Sequence, residues 1–189
     1  MRLVAADLET TDLRCLMGRI LCCSFLEIGP GKQPYTFRAD RKPWMTTSPK
    51  RWHREPDAIS DKRLAVAIRD ELEQYNTIIT WNGKMFDVPF LNARLLKAHE
   101  RPLRVQFHID AMYYAGGISN RIGSRKLANV QKFLGLPDSK TDITWENWQR
   151  AAMGNTSAFS EVVTHCEQDV RVLSQAYWRF LPYIAVIHR

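Results

Sequence analysis

The sequence predicts an α/β domain: a sheet of five short strands with helices packed against it. Three observations carry that prediction. From residue 60 onward, short apolar or β-branched runs alternate with longer stretches of helical period. Ahead of them, residues 19–28 and 35–37 read as strands flanking the turn Gly29-Pro30-Gly31, which predicts a hairpin. No internal repeat, low-complexity tract or interdomain linker interrupts the 189 residues, so residues 1–189 are expected to form a single domain with a sizeable core.

Residues 1–9 form the first expected strand, opening with the apolar run Leu3-Val4-Ala5-Ala6. A connection from Thr10 to Gly18 leads to the second strand, residues 19–28, and the third is Tyr35-Thr36-Phe37. Residues 38–58 look irregular. They interleave Arg38, Arg41, Lys42, Lys50, Arg51 and Arg54 with Trp44 and Trp52. Such a loop either follows a phosphate backbone and stacks on bases or is a solvated surface loop.

Ser60 to Tyr75 reads as a helix, with Leu64, Ile68 and Leu72 on one face and Ser60 as its cap. Thr77 to Trp81 is a short buried strand ended by Gly83. Asp87 can cap the next helix, which carries Pro89 in its first turn and runs to about Ala98. A fifth strand is expected over Val105–Ile109, with Asp110 capping a short helix that follows. Lys126–Leu134 is a helix stopped by Gly135, and Trp145 to about Ala152 is another. The last helix runs from about Ser157 past Trp178, with Val162, Cys166, Val170, Leu173 and Tyr177 as its apolar stripe.

Lys and Arg number 27 against 20 Asp and Glu, a net charge of +7, which suits a polyanionic partner such as nucleic acid. No apolar run reaches the ~18 residues that a membrane span needs, and no signal peptide is evident, so a cytoplasmic location without membrane association is expected. Cys15, Cys22, Cys23 and Cys166 form no Cys-x-x-Cys pair. They read as reduced, buried thiols, with Cys22 and Cys23 on opposite faces of their strand.

Four carboxylates lie at predicted structural boundaries. Asp7 and Glu9 end the first strand and, two residues apart, face the same way. Asp87 opens a helix just after a buried strand. Asp169 sits in the last helix, four residues after His165, so the two share a face. Taken singly, each has an ordinary explanation: strand end, helix cap, amphipathic edge. Together they fit two-metal phosphodiester hydrolysis, in which two divalent ions about 3.5–4 Å apart clamp the attacking and leaving oxygens. An all-carboxylate set is also what Mg²⁺ or Mn²⁺ prefers. His165 can orient or deprotonate the attacking water, since histidine titrates near pH ~6.5.

The residues that carry these groups resemble the three motifs of the DEDD superfamily of 3′–5′ exonucleases. Asp7-Leu8-Glu9-Thr10-Thr11 is similar to the first motif, and Asn82-Gly83-Lys84-Met85-Phe86-Asp87-Val88-Pro89-Phe90-Leu91 is very close to the second. His165-Cys166-Glu167-Gln168-Asp169-Val170, with Leu173, is similar to the third. His108-Ile109-Asp110 and the stretch from Leu127 to Lys140 resemble the proofreading domains of family B DNA polymerases and their stand-alone relatives.

The resemblance implies a ribonuclease H-like fold with a mixed sheet, the second strand antiparallel to the first. It implies that Asp7, Glu9 and Asp169 hold one Mg²⁺ or Mn²⁺ ion. Asp7 would reach a second ion, with Asp87 contributing directly or through water. Thr10, Thr11 and Leu13 would cradle the terminal nucleotide, and Asn82, Met85 and Phe86 would line the same cleft. The expected partner is a nucleic acid with a single-stranded or frayed 3′ end, with a polymerase or a replication or repair protein as a further partner in trans. The alternatives are an exoribonuclease of the same family and a non-catalytic nucleic-acid-binding module. One departure stands out: the family places tyrosine four residues, or histidine five residues, before the last aspartate, whereas His165 lies four residues before Asp169.

Overall fold

The computed structural model describes residues 1–40, 60–116, 120–137 and 142–184. The basic loop beyond Asp40, with Trp44 and Trp52, and Lys140 lie outside them. Five strands form one sheet in the order β3-β2-β1-β4-β5. They are β1 (Leu3–Thr10), β2 (Ile20–Glu27), β3 (Tyr35–Arg38), β4 (Thr77–Thr80) and β5 (Phe107–Asp110). β1 is central. It pairs antiparallel with β2 and parallel with β4, β2 pairs antiparallel with β3, and β4 pairs parallel with β5. The expected mixed sheet with an antiparallel second strand is therefore present, although β5 starts two residues later than its apolar pattern suggests.

Helices cover both faces. On one side lie α1 (Lys62–Leu72) and α2 (Asp87–Lys97). Val4, Ala6 and Leu8 of β1 pack there against Leu64, Ile68, Leu72, Phe90, Leu91 and Leu95. Each such large side chain taken from water contributes about 1.5–3 kcal/mol. On the other side, Ala5, Ile79 and Ile109 meet α4 (Leu127–Leu134) and the long α6 (Thr156–Phe180), while α3 (Met112–Gly116) places Ala115 in the same cluster. The helix α5 (Trp145–Ala152) packs on the first half of α6, where Leu21 and Cys22 of β2 meet Ala151, Phe159, Val162 and Cys166.

β2 carries one extra residue where Glu9 pairs with Cys22 but Thr10 pairs with Ile20. This bulge at Leu21 bends the sheet edge just where β1 ends. Cys22 and Cys23 do lie on opposite faces. All four cysteines are free thiols, but Cys15 is only partly buried, because it lies in the connection after β1 and not in a strand. Gly135 ends α4 in the left-handed conformation, at φ 60°.

The starts of α1 and α2 differ from expectation. Ser60 Oγ accepts from Lys62 N at 3.3 Å, but the helix begins behind Asp61, whose side chain caps nothing. Asp61 turns inward instead. Its Oδ1 accepts from Arg94 Nε at 3.0 Å and its Oδ2 from Ile20 N at 2.7 Å. Arg94 Nη1 in turn donates to Gly18 O at 2.9 Å. Both charges are buried, at 4% and 7% exposure, so each needs the other. The pair ties α1 and α2 to the far end of the connection that follows β1.

Removing one partner strands the other charge in the core. Asp61→Ala is therefore expected to cost about 3–5 kcal/mol in urea unfolding, with the Asp61→Leu/Arg94→Leu double variant recovering part of the loss. A single-variant cost under about 1 kcal/mol would contradict the role given to this pair.

Candidate active site

The site forms where β1 runs on past β4 while still paired with β2. β1 pairs with β4 only over Leu3–Ala5, so its last residues run on past their parallel neighbour. Sites at the C-terminal ends of parallel strands arise from such divergence. Asp7 and Glu9 share the face of β1 that carries Ala5, toward α6. From α6, His165, Cys166 and Asp169 turn back toward the strand; all three are buried. His165 Nε2 stands 3.9 Å from Glu9 Oε1 and 3.8 Å from Asp169 Oδ2. The imidazole thus lies close to both carboxylates.

Ligand-type atoms of Asp7, Glu9 and Cys166 lie within 4.8 Å of one another. The sequence marks Cys166 as a buried thiol of the apolar stripe and gives it no role in the site. Here its Sγ–H faces Asp7, 3.4 Å from both the backbone oxygen and Oδ2. Burial, then the contact with Cys22, pushes the Cys166 thiol well above its ordinary pKa. In this arrangement its S–H donates a hydrogen bond toward Asp7. The oxygens of Asp7, Glu9 and Asp169 make a donor set that fits a hard divalent cation.

Asp87 does not cap α2. Phe86 occupies the N-cap position, and Asp87 is the first helical residue. Its Oδ1 accepts from Leu8 N at 3.0 Å, a β1 group beyond the stretch that β4 pairs. Asp87 thereby takes the place of the missing strand partner, one residue from Asp7. Val88, Leu91, Ile68, Leu72 and Ile78 surround the same small cavity. Burial in these apolar surroundings, and then the negative charge of Asp7, hold the Asp87 carboxyl well above the usual carboxylate range.

The turn that delivers Asp87 is held by a residue underrated in the sequence. Asp110 Oδ1 accepts from Met112 N at 3.2 Å, as a helix cap would. It also accepts from Asn82 N at 2.8 Å through Oδ1 and from Lys84 N at 3.0 Å through Oδ2. Asn82 sits at φ 65°, and Gly83 packs so tightly on Thr80 that a side chain there would clash. Asp110 is 1% exposed, and its carboxylate organises this turn from the neighbouring strand.

Of the residues expected to hold a nucleotide, Leu13 and Met85 are strongly exposed, at 80% and 69%. Phe86 is half-buried, its ring 5.6 Å from that of Phe90. The hydroxyls of Thr10 and Thr11 work within the connection: Thr10 Oγ1 donates to Asp12 O at 2.9 Å, and Thr11 Oγ1 accepts from Arg19 N at 3.1 Å. The Thr10 carbonyl accepts from Trp148 Nε1 at 2.9 Å.

A mixed sheet of this order, with its acidic site at the end of the first strand, defines the ribonuclease H-like class. The family model RNase_H_2, of the RNase_H superfamily, matches residues 5–180, and the chain belongs to that superfamily. Among solved structures, the family B DNA polymerase from the hyperthermophilic archaeon Pyrobaculum calidifontis is similar, with a TM-score of 0.66 at 16% identity. That match covers 97% of this chain and 25% of the polymerase chain, so the protein spans about a quarter of that relative's length. No curated protein sequence matches the chain.

The raised Asp87 pKa has a sign that can be tested. A carboxyl whose pKa is higher folded than unfolded binds more protons in the folded state, so its contribution to stability falls as pH rises through that window. Asp87→Asn keeps an oxygen for Leu8 N–H and removes the charge. In EDTA, the melting temperature of the variant should therefore gain on wild type by several degrees as pH rises above the ordinary aspartate value of about 3.9. Saturating Mn²⁺ should shrink that gap. A pH-independent difference would mean that the Asp87 charge is not held under strain.

Proposed function

We propose that the protein is a metal-dependent 3′–5′ exonuclease that releases nucleoside 5′-monophosphates from nucleic-acid 3′ ends. The observation that carries this reading is the meeting of Asp7 and Glu9 from β1 with His165, Cys166 and Asp169 from α6, with Asp87 bonded to the same strand at Leu8 N. The motif resemblance supplies the 3′–5′ polarity. It also favours DNA, as a single strand or frayed end, because His108-Ile109-Asp110 and the stretch from Leu127 to Lys140 resemble those of proofreading domains. Membership of the RNase_H superfamily supports nucleic acid as the substrate class.

Bound between these carboxylates, two Mg²⁺ or Mn²⁺ ions would activate the attacking water and stabilise the leaving oxygen. The chain's own residues do the rest. Asp7, Glu9 and Asp169 would hold one ion, and Asp7 would reach the second, with Asp87 contributing directly or through water. His165 accepts a proton from the attacking water at Nε2, the atom that already faces Glu9 and Asp169. Thr10, Thr11 and Leu13 on one side, and Asn82, Met85 and Phe86 on the other, cradle the terminal nucleotide. The basic charge of the chain assists approach of the polyanion.

A 5′-labelled single-stranded DNA should shorten to a ladder with Mg²⁺ or Mn²⁺ and stay intact with EDTA or with Asp7→Ala. His165→Ala should lower kcat by about 10²–10⁴-fold with a much smaller change in KM, and should flatten the acid limb of the rate profile. That limb falls as pH drops because a protonated imidazole cannot accept the proton. Cutting of a circular strand would contradict the reading. Salt-sensitive binding without turnover would instead mark a binding module.

A further inference from the structure

Trp148 touches two parts of the site at once, from an element remote in sequence. Its indole N–H donates to the carbonyl of Thr10, the residue after Glu9, at 2.9 Å. Its ring meets the His165 ring edge-on, with centroids 6.4 Å apart and planes at 84°. Tryptophan suits this double contact: it offers a broad apolar surface for packing and a hydrogen-bond donor at its edge.

The helix beneath it is fixed at both ends. Thr144 Oγ1 caps α5 by accepting from Asn147 N at 3.2 Å, and Asn147 Nδ2 donates to Glu161 Oε2 of α6 at 2.6 Å. At the other end Arg19 Nη2 donates to Ala152 O at 2.6 Å. So α5 is braced against α6, which carries His165 and Asp169, and against the connection that leaves Glu9. Glu9 and Asp169, at 3.9 and 3.8 Å from His165 Nε2, attract the imidazole from beyond ordinary hydrogen-bond length. The indole supplies a closely packed wall on another side.

We infer that Trp148 is a positioning residue of this site: it sets the imidazole of His165 through its ring and the strand end that bears Glu9 through its N–H. The first part rests on the exonuclease reading; the second does not. Two variants separate the contacts. Trp148→Phe keeps an aromatic ring beside His165 and loses the N–H to Thr10. Trp148→Ala loses both.

The test is made on the full-length chain and begins without catalysis. Mn²⁺ affinity, measured by calorimetry, should fall about tenfold in both variants, because the carbonyl next to Glu9 loses its anchor, as when an outer contact of a metal site is lost. Then kcat is measured at saturating Mn²⁺. Trp148→Ala should lose about tenfold when His165 is present and almost nothing in the His165→Ala background, whereas Trp148→Phe stays near wild type. A loss from Trp148→Ala that adds fully to that of His165→Ala would mean a general structural effect and would overturn the ring contact as a positioning device. Unchanged Mn²⁺ affinity in both variants would overturn the N–H contact. Should the wild-type chain hydrolyse no nucleic acid, the exonuclease reading and the ring role fall together, and the calorimetric arm still decides the strand-end role.

Discussion

Mutual repulsion among carboxylates is the constraint on which this structure turns. Asp7 and Glu9 are partly buried beside the buried Asp169, and the Asp87 carboxyl is bonded to the same strand. In such surroundings like charges destabilise one another, and a folded chain tolerates them only when rigid elements hold them in place. Each element here does so. β1 runs through the middle of the sheet, α6 packs along it, and α2 begins where β4 has stopped pairing with β1. The cost in metal-free folding is the counterpart of affinity for a divalent cation, since the same charges that repel one another attract the ion.

The surrounding polar groups follow from this constraint. Asp87 takes a backbone N–H of β1, Asp110 ties the turn that presents Asp87, and the Cys166 thiol faces Asp7. On the far side, the Asp61–Arg94 pair holds the return of the connection that leaves Glu9, and Trp148 holds its beginning. The acidic cluster is thus pinned from three directions by residues that belong to other helices and strands.

Much of the fold was legible because the sequence states it locally. The 3.6-residue period of Leu64, Ile68 and Leu72, the β-branched run at 77–80 and the glycine at 135 each specify their element without outside help. The site's principal residues were legible for a different reason: carboxylates at the ends of apolar elements are costly, so their positions stand out. The long-range partners were not. Nothing in the sequence singles out Asp61, yet a buried guanidinium 33 residues away claims its side chain. Asp87 looked like a cap, yet β1 offered an unpaired N–H that only the three-dimensional divergence of β1 and β4 reveals. Cys166 read as one more apolar stripe residue, and Trp148 as a helix residue of no particular note. Nothing in sequence spacing signals a contact between residues 138 positions apart. The four-residue spacing of His165 and Asp169 was legible as one shared helix face, and one turn brings Nε2 to 3.8 Å from Asp169 Oδ2.

The central claim is that the end of β1 and the middle of α6 form one cation site. Crystals soaked in Mn²⁺ and measured at the manganese absorption edge test it most directly. The account predicts anomalous density in contact with the Asp7, Glu9 and Asp169 carboxylates, with the His165 imidazole beside it. Crystals that bind manganese elsewhere, or not at all, with Asp7 and Glu9 turned away from α6, would contradict it.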